Sequence, residues 1–188
     1  MSTGHVHLLQ IAGPAGVGKT TLGWEISVQL RQAGVAHVVL DSDELDRAWP
    51  LSDRERESLN RANLSAFWAN ASALGQSRLI LVGVFLRPHA DRDWIARALP
   101  HASLTRVVLE ASDAELERRL RTREIGSGFV DQLRRTLDQA HQFRDRRRRG
   151  EDVVITEGRE VRDLAREVIE RVGWVRTRGK DPFGGRAP

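Results

Sequence analysis

There is no cysteine among the 188 residues. That one absence excludes a disulfide framework, a thiolate nucleophile and any Cys-ligated zinc site. No apolar run approaches the ~20 residues that cross a bilayer. The N-terminal region also lacks the basic flank, apolar core and small-residue cleavage site of a secretory signal. Together these absences predict a cytoplasmic protein with no membrane partner. Internal repeats and linkers are missing too, and at 40% hydrophobic content the chain is long enough for one core and too short for two. One domain is expected over residues 1–176, with a Gly-, Arg- and Pro-rich tail over 177–188 that has nothing to pack.

Lysine is nearly absent as well. Thirty residues are Lys or Arg, yet only Lys19 and Lys180 are lysines. The net charge of +4 and pI near 10.7 raise the question of a nucleic-acid partner. Acids and bases interleave along most of the chain, however, so nucleic acid is not the expected partner. The concentrated basic run "RDRRRRG", Arg144 to Gly150, falls where a helix should end, and cations there favour the helix dipole. It has no interleaved aromatics for base stacking, so a solvated helix end is expected. Against this arginine background Lys19 marks a position that requires a compact ammonium rather than a planar fork. Lys180 lies in the tail and carries no such weight.

What is present is an alternation of apolar runs and longer amphipathic segments, the pattern of βα units around a parallel sheet. Strands are predicted at residues 5–12, in "AHVVLDSD", in "SRLILVGVF", in "LTRVVLEA" and in "DVVITEG". The third is apolar throughout, as in a strand buried on both faces. Helices are predicted over 20–33, over 52–74 with a capping box from Ser52 and Glu55 and a stop at Gly75, and over 162–172. A highly charged helical segment occupies 113–149.

Gly13, Gly18, Lys19 and Thr20 complete the motif G-x-x-x-x-G-K-[ST] between a predicted strand and a predicted helix, which is the context the motif requires. Glycines let successive N–H groups turn inward around phosphate oxygens, and the helix N-terminus adds its positive end. Ala15, Gly16 and Val17 complete the cradle, with small residues keeping side chains out of it. Lys19 is expected to reach the β- and γ-phosphates of a nucleoside triphosphate, Thr20 to complete the coordination of Mg²⁺, and Thr21 to contact the α-phosphate.

Asp41 and Asp43 close the second strand, at the end where open α/β sheets bind ligands. Two residues apart on extended chain, both carboxylates point to one side. One is then placed to accept or hold an acceptor proton while the other orients a Mg²⁺-bound water or the acceptor; Asp41 is the preferred base and also a metal-side candidate. The plainer alternative is that one of the two only caps the next turn.

The phosphate loop followed about twenty residues later by "LDSDELDR" resembles the P-loop small-molecule kinases: adenylylsulfate kinase, gluconate kinase, shikimate kinase and chloramphenicol phosphotransferase. Similarity to adenylylsulfate kinase runs furthest, through "DRERESLNRANLSAFWANASALG" and "FLRPHADRDWIAR". The resemblance implies a P-loop α/β fold with a five-stranded parallel sheet in the order 2-3-1-4-5, flanking helices and a helical lid over about 113–149. Arg47 sits one residue later than that family's arginine. Its Gly- and Lys-bearing lid and Phe-Thr-Gly segment have no counterpart here, so fold and phosphoryl transfer carry over and the substrate does not.

Arg119 and Arg123, at i and i+4 before a turn with Gly126 and Gly128 as hinges, fit the arginine pair of such a lid. Ordinary surface pairing explains the same spacing. Arg118 and Arg121 are expected to face elsewhere, paired with Glu115 or Glu117. "TEGREV" after the fifth strand matches the place where such kinases line the adenine. Trp24, Trp68, Trp94 and Trp174 are expected mostly in packing, whereas Trp49 beside the acids is a candidate wall of an acceptor pocket. Arg54 and Arg61 on the long second helix and His89 after the third strand complete the acceptor candidates. The reading is an ATP-dependent kinase for a small hydroxylated acceptor, acting as monomer or homodimer. Alternatives are a nucleotide-dependent regulatory ATPase, which should carry an acid on the third strand, and adenylylsulfate kinase proper.

Overall fold

The computed structural model describes residues 5–123, 128–147 and 151–175. The expected hinge Gly126, the last residues of the basic run (148–150) and the expected tail over 177–188 lie outside these. Five strands form one sheet: β1 (His7–Ala12), β2 (Val38–Asp41), β3 (Arg78–Gly83), β4 (Ser103–Glu110) and β5 (Asp152–Ile155). They run in the order β2-β3-β1-β4-β5. Every pairing is parallel, with Ile11 opposite Val82 on one side and Val107 on the other. The order and direction agree with the expected fold, and they gather the ends of β1, β2 and β3 at one edge, where ligands of such sheets bind.

Six helices flank the sheet: α1 (Lys19–Gln32), α2 (Asp53–Ala73), α3 (Pro88–Ala98), α4 (Asp113–Arg123), α5 (Phe129–Asp145) and α6 (Val161–Val172). One apolar layer joins β1, β3, β4 and β5 to α1, α4, α5 and α6 through Leu9, Ile11, Ile26, Ile80, Leu109 and Val168. The opposite layer packs Leu8, Leu79 and Leu81 against Leu64, Trp68 and Ile95 of α2 and α3. Strands covered on both faces need continuous apolar sequence, which is why "LILV" carries no alternation. Close approach of α1 depends on Gly23, where a Cβ would lie 2.9 Å from Val82 Cγ1.

Local signals set the boundaries. Ser52 and Glu55 make the anticipated capping box, with Ser52 N–H donating to Glu55 Oε2 at 2.8 Å. Pro88 occupies the first turn of α3, a helix the sequence reading left without assignment. The charged segment divides into α4 and α5, and the basic run is more than a solvated end. Arg144 pairs with Asp113, Arg146 Nη1 donates to the Leu86 carbonyl at 2.8 Å, and Arg147 lies 3.8 Å from Glu110. Trp24, expected in packing, is 58% exposed, because its position on α1 falls outside the stripe that faces the sheet.

Candidate active site

β1 delivers the chain into the glycine loop, and Gly18 turns it into α1 with φ of 106°, in the left-handed region that favours glycine. Among the described residues no side chain caps α1, which leaves its first N–H groups to an anion. Three side chains hold the loop itself. Lys19 Nζ donates to the Pro14 carbonyl at 2.9 Å, Arg119 Nη1 to the Val17 carbonyl at 2.8 Å, and the Ala15 N–H donates to Gln139 Oε1 at 3.0 Å. Burial lowers the Lys19 pKa to about 8, opposed by Asp43 and Asp41 and reinforced by Arg123.

A cavity of about 590 Å³ opens over this loop, lined by Gly16 through Leu22 and by Arg119, Arg123, Thr156 and Arg159. Thr21 belongs to that lining, while Gly13 is buried at the root of the loop. Arg119 is a fixed element of the wall. It donates to Glu115 at 2.6 Å and to Thr156 Oγ1 at 3.0 Å in addition to Val17. Arg123 is exposed at the cavity rim. Arg118 and Arg121 pair with Glu115 and Glu117 as expected, but Arg118 also faces the cavity, so the expectation that it points elsewhere is corrected. Thr156 and Arg159, from "TEGREV", form the far wall.

Asp41 is engaged at both oxygens. Oδ2 accepts from the Thr20 hydroxyl at 3.0 Å and Oδ1 from the Asp43 N–H at 3.1 Å, which caps a short 3-10 turn over Ser42–Glu44. The capping alternative therefore holds for Asp41, together with a contact to the loop. A hydroxyl and a carboxylate beside the lysine are hard oxygen donors of the kind Mg²⁺ takes alongside phosphates and water, so these residues fit that ion. Asp43 instead faces a second cavity of about 760 Å³. Its carboxyl is pushed above its ordinary range, first by loss of water around it and then by Asp41, with Lys19 opposing.

That second cavity lies between the end of β2, the start of α2 and the segment after β3. Arg54, one of the acceptor candidates, lines it. Trp49, Arg61 and His89 do not: each is exposed outside its lining, and Trp49 is 91% exposed. The aromatic wall is instead Phe85 and Trp94, whose ring centroids lie 6.3 Å apart. Phe85 adopts φ of 43°, a strained value for a side-chain-bearing residue, and its carbonyl is held by Arg106 Nη2 at 2.7 Å. Asp46, not among the candidates read from the sequence, ties the segment after β2 to α2 by accepting from Asn60 at 2.9 Å and Arg56 at 3.3 Å. Gln139 was missed as well, and no sequence signal joins it to a loop so distant in the chain.

An all-parallel sheet in this order, with a phosphate loop between β1 and α1 and acids at the end of β2, defines a P-loop kinase-like fold. The family model of the AAA domain matches residues 8–149, and the chain belongs to that family. No curated protein matches it by sequence. Among solved structures it is similar to the tunicamycin resistance protein of Deinococcus radiodurans, with a TM-score of 0.62 and 18% identity over 90% of this chain and 96% of that one. A gluconokinase from Sinorhizobium meliloti 1021 gives 0.60 and 19% over 89% and 91%. The Mycobacterium tuberculosis APS kinase, solved with AMPPNP and APS, gives 0.59 and 18% over 90% and 98%. At such identities the likeness is one of fold. It agrees with the resemblance drawn from the phosphate loop and the acid pair.

Proposed function

We propose that the protein is an ATP-dependent phosphotransferase that moves the γ-phosphate to a hydroxyl of a small molecule: a metabolite, a nucleoside-like compound or an antibiotic. The observation that carries this reading is the Thr20–Asp41 contact at 3.0 Å, which joins the phosphate loop to an acid pair whose second member faces a separate cavity. A nucleotide site and an acceptor site thereby meet at Asp43. The regulatory-ATPase alternative called for an acid on the third strand, and β3 ends "LILVG" with none.

In this reading the loop amides and the α1 N-terminus hold the polyphosphate, and the Lys19 ammonium neutralises its β,γ end. Thr20 and Asp41 would hold Mg²⁺, which when bound offsets charge on the phosphate oxygens. In this reading Asp43 replaces Asp41 as the base, since both Asp41 oxygens are occupied and Asp43 lines the second cavity with a raised pKa. The acceptor oxygen attacks the γ-phosphorus, its proton passes to Asp43, and the bond to the β-phosphate oxygen breaks with ADP leaving. Arg119 keeps the loop in shape from its wall, and Arg123 lies where cationic charge offsets that on the transferring group.

The test is a panel of hydroxylated metabolites and antibiotics incubated with MgATP and read by mass spectrometry for the gain of one phosphate. The expected result is a phosphorylated acceptor with wild type and a rate lower by about 10²–10⁴ with Asp43→Asn. ATP hydrolysis stimulated by a protein partner, with no acceptor modified, would instead support the regulatory reading.

A further inference from the structure

The Pro14–Ala15 peptide unit is gripped on both edges. Its carbonyl receives Lys19 Nζ at 2.9 Å and its N–H donates to Gln139 Oε1 at 3.0 Å. The two partners come from elements far apart in the chain, Lys19 from the start of α1 and Gln139 from the third turn of α5. In a loop of this kind the lysine reaches the β- and γ-phosphates, while the amides nearer the helix serve the α- and β-phosphates. An ammonium has three donors, so Lys19 can keep the Pro14 carbonyl while it reaches a phosphate. The orientation of that peptide plane then sets where the ammonium points.

We propose that Gln139 is a positioning residue for the β,γ end of the nucleotide, acting through the Pro14–Ala15 peptide on Lys19. This rests on the reading of the loop as a nucleotide site. Gly13 and Gly16, on either side of the unit, have positive φ, while the plane itself turns about the Pro14 ψ and Ala15 φ torsions, which no secondary-structure ladder fixes. The carboxamide oxygen removes that freedom before ligand arrives. The C-cap of the same helix supplies a second tie: seven residues on, close to two turns, Arg146 holds the Leu86 carbonyl at 2.8 Å. Leu86 follows Phe85, the aromatic wall of the acceptor-side cavity. α5 thus sets the phosphate loop at the end of β1 and the segment after β3 relative to one another.

Gln139→Met keeps the side chain's length and removes the acceptor oxygen; Gln139→Ala removes both. Titration of each variant with AMPPNP and with ADP, in the presence of Mg²⁺, reads the effect. AMPPNP affinity should fall about three- to tenfold, the worth of one hydrogen bond, and ADP affinity by less than about twofold. Equal weakening of both nucleotides would show a merely structural role and overturn the proposal, as would no weakening. Wild-type protein that binds neither nucleotide would overturn the loop assignment itself, and this inference with it. A measurement on the wild type alone covers the case of poorly folding variants: the Ala15 amide should exchange its hydrogen more slowly than the Gly16 amide. Equal exchange rates would contradict the Gln139 contact.

Discussion

Lys19 carries the cost of its position. Its pKa, lowered to about 8 by burial, means the unfolded chain holds a proton more tightly than the fold does between about pH 8 and the ordinary lysine value of 10.5. The destabilisation is fully present below pH 8 and disappears as pH rises through that window. Lys19→Met should accordingly raise stability at pH 7 by up to roughly 3 kcal/mol in chemical denaturation while abolishing nucleotide binding. In the wild type, nucleotide affinity should hold below pH 8 and decline above it as the free protein loses the ammonium, which titrations at pH 7 and pH 9 will register. Asp43 shifts in the opposite sense for an acid: its raised pKa lets the fold bind the proton more tightly than the unfolded chain, so its ionised form near neutrality is disfavoured by folding. Asp43→Asn should leave AMPPNP affinity within about twofold, raise the melting temperature slightly, and cut transfer by about 10²–10⁴, the range of general-base catalysis. Asp41→Asn, by contrast, should raise the Mg²⁺ concentration needed for half-maximal transfer.

Elements explain why these residues meet. α1 is placed by the glycine loop, and β2 ends in register with β3, Asp41 opposite Val82. Beyond that pair β3 finishes on Gly83, where a Cβ would lie 2.1 Å from Ser42 Oγ and 2.7 Å from the Phe85 ring. The serine can rotate away, but Phe85 is pinned through its carbonyl by Arg106. Gly83→Ala should therefore cost about 1–3 kcal/mol, the usual range for overpacking, and weaken acceptor binding more than nucleotide binding. Thermal melts and separate KM values for the two substrates check both parts. Much of the element pattern was legible in local sequence: the capping box at Ser52, the apolar β3 and the loop motif each have a short-range cause. α3 was passed over because a charged helix opening on "RPHADRD" shows little apolar stripe, and its identity rests on Ile95 and Trp94 packing against α2 and the sheet.

For the molecule as a whole, the sheet order collects β1, β2 and β3 ends into one site with a cavity on either side of the acids. Binding at the loop should stabilise the entire fold. With MgAMPPNP at about a hundred times its Kd, the gain is about 2.7 kcal/mol, a rise of roughly 5–10 °C in melting temperature for a chain of this size. No shift at saturating nucleotide would argue against the site. The sequence alone determined the phosphate loop, the acid pair and the βα alternation, because glycine torsions, strand-end carboxylates and hydrophobic period are local properties. Only the tertiary structure decided which acid faces the second cavity, that Arg119 is a tether within the wall, and that Trp49 stands apart while Phe85 and Trp94 form the aromatic face. The same is true of Gln139, since a contact between α5 and the phosphate loop exists only once the sheet has brought the two together.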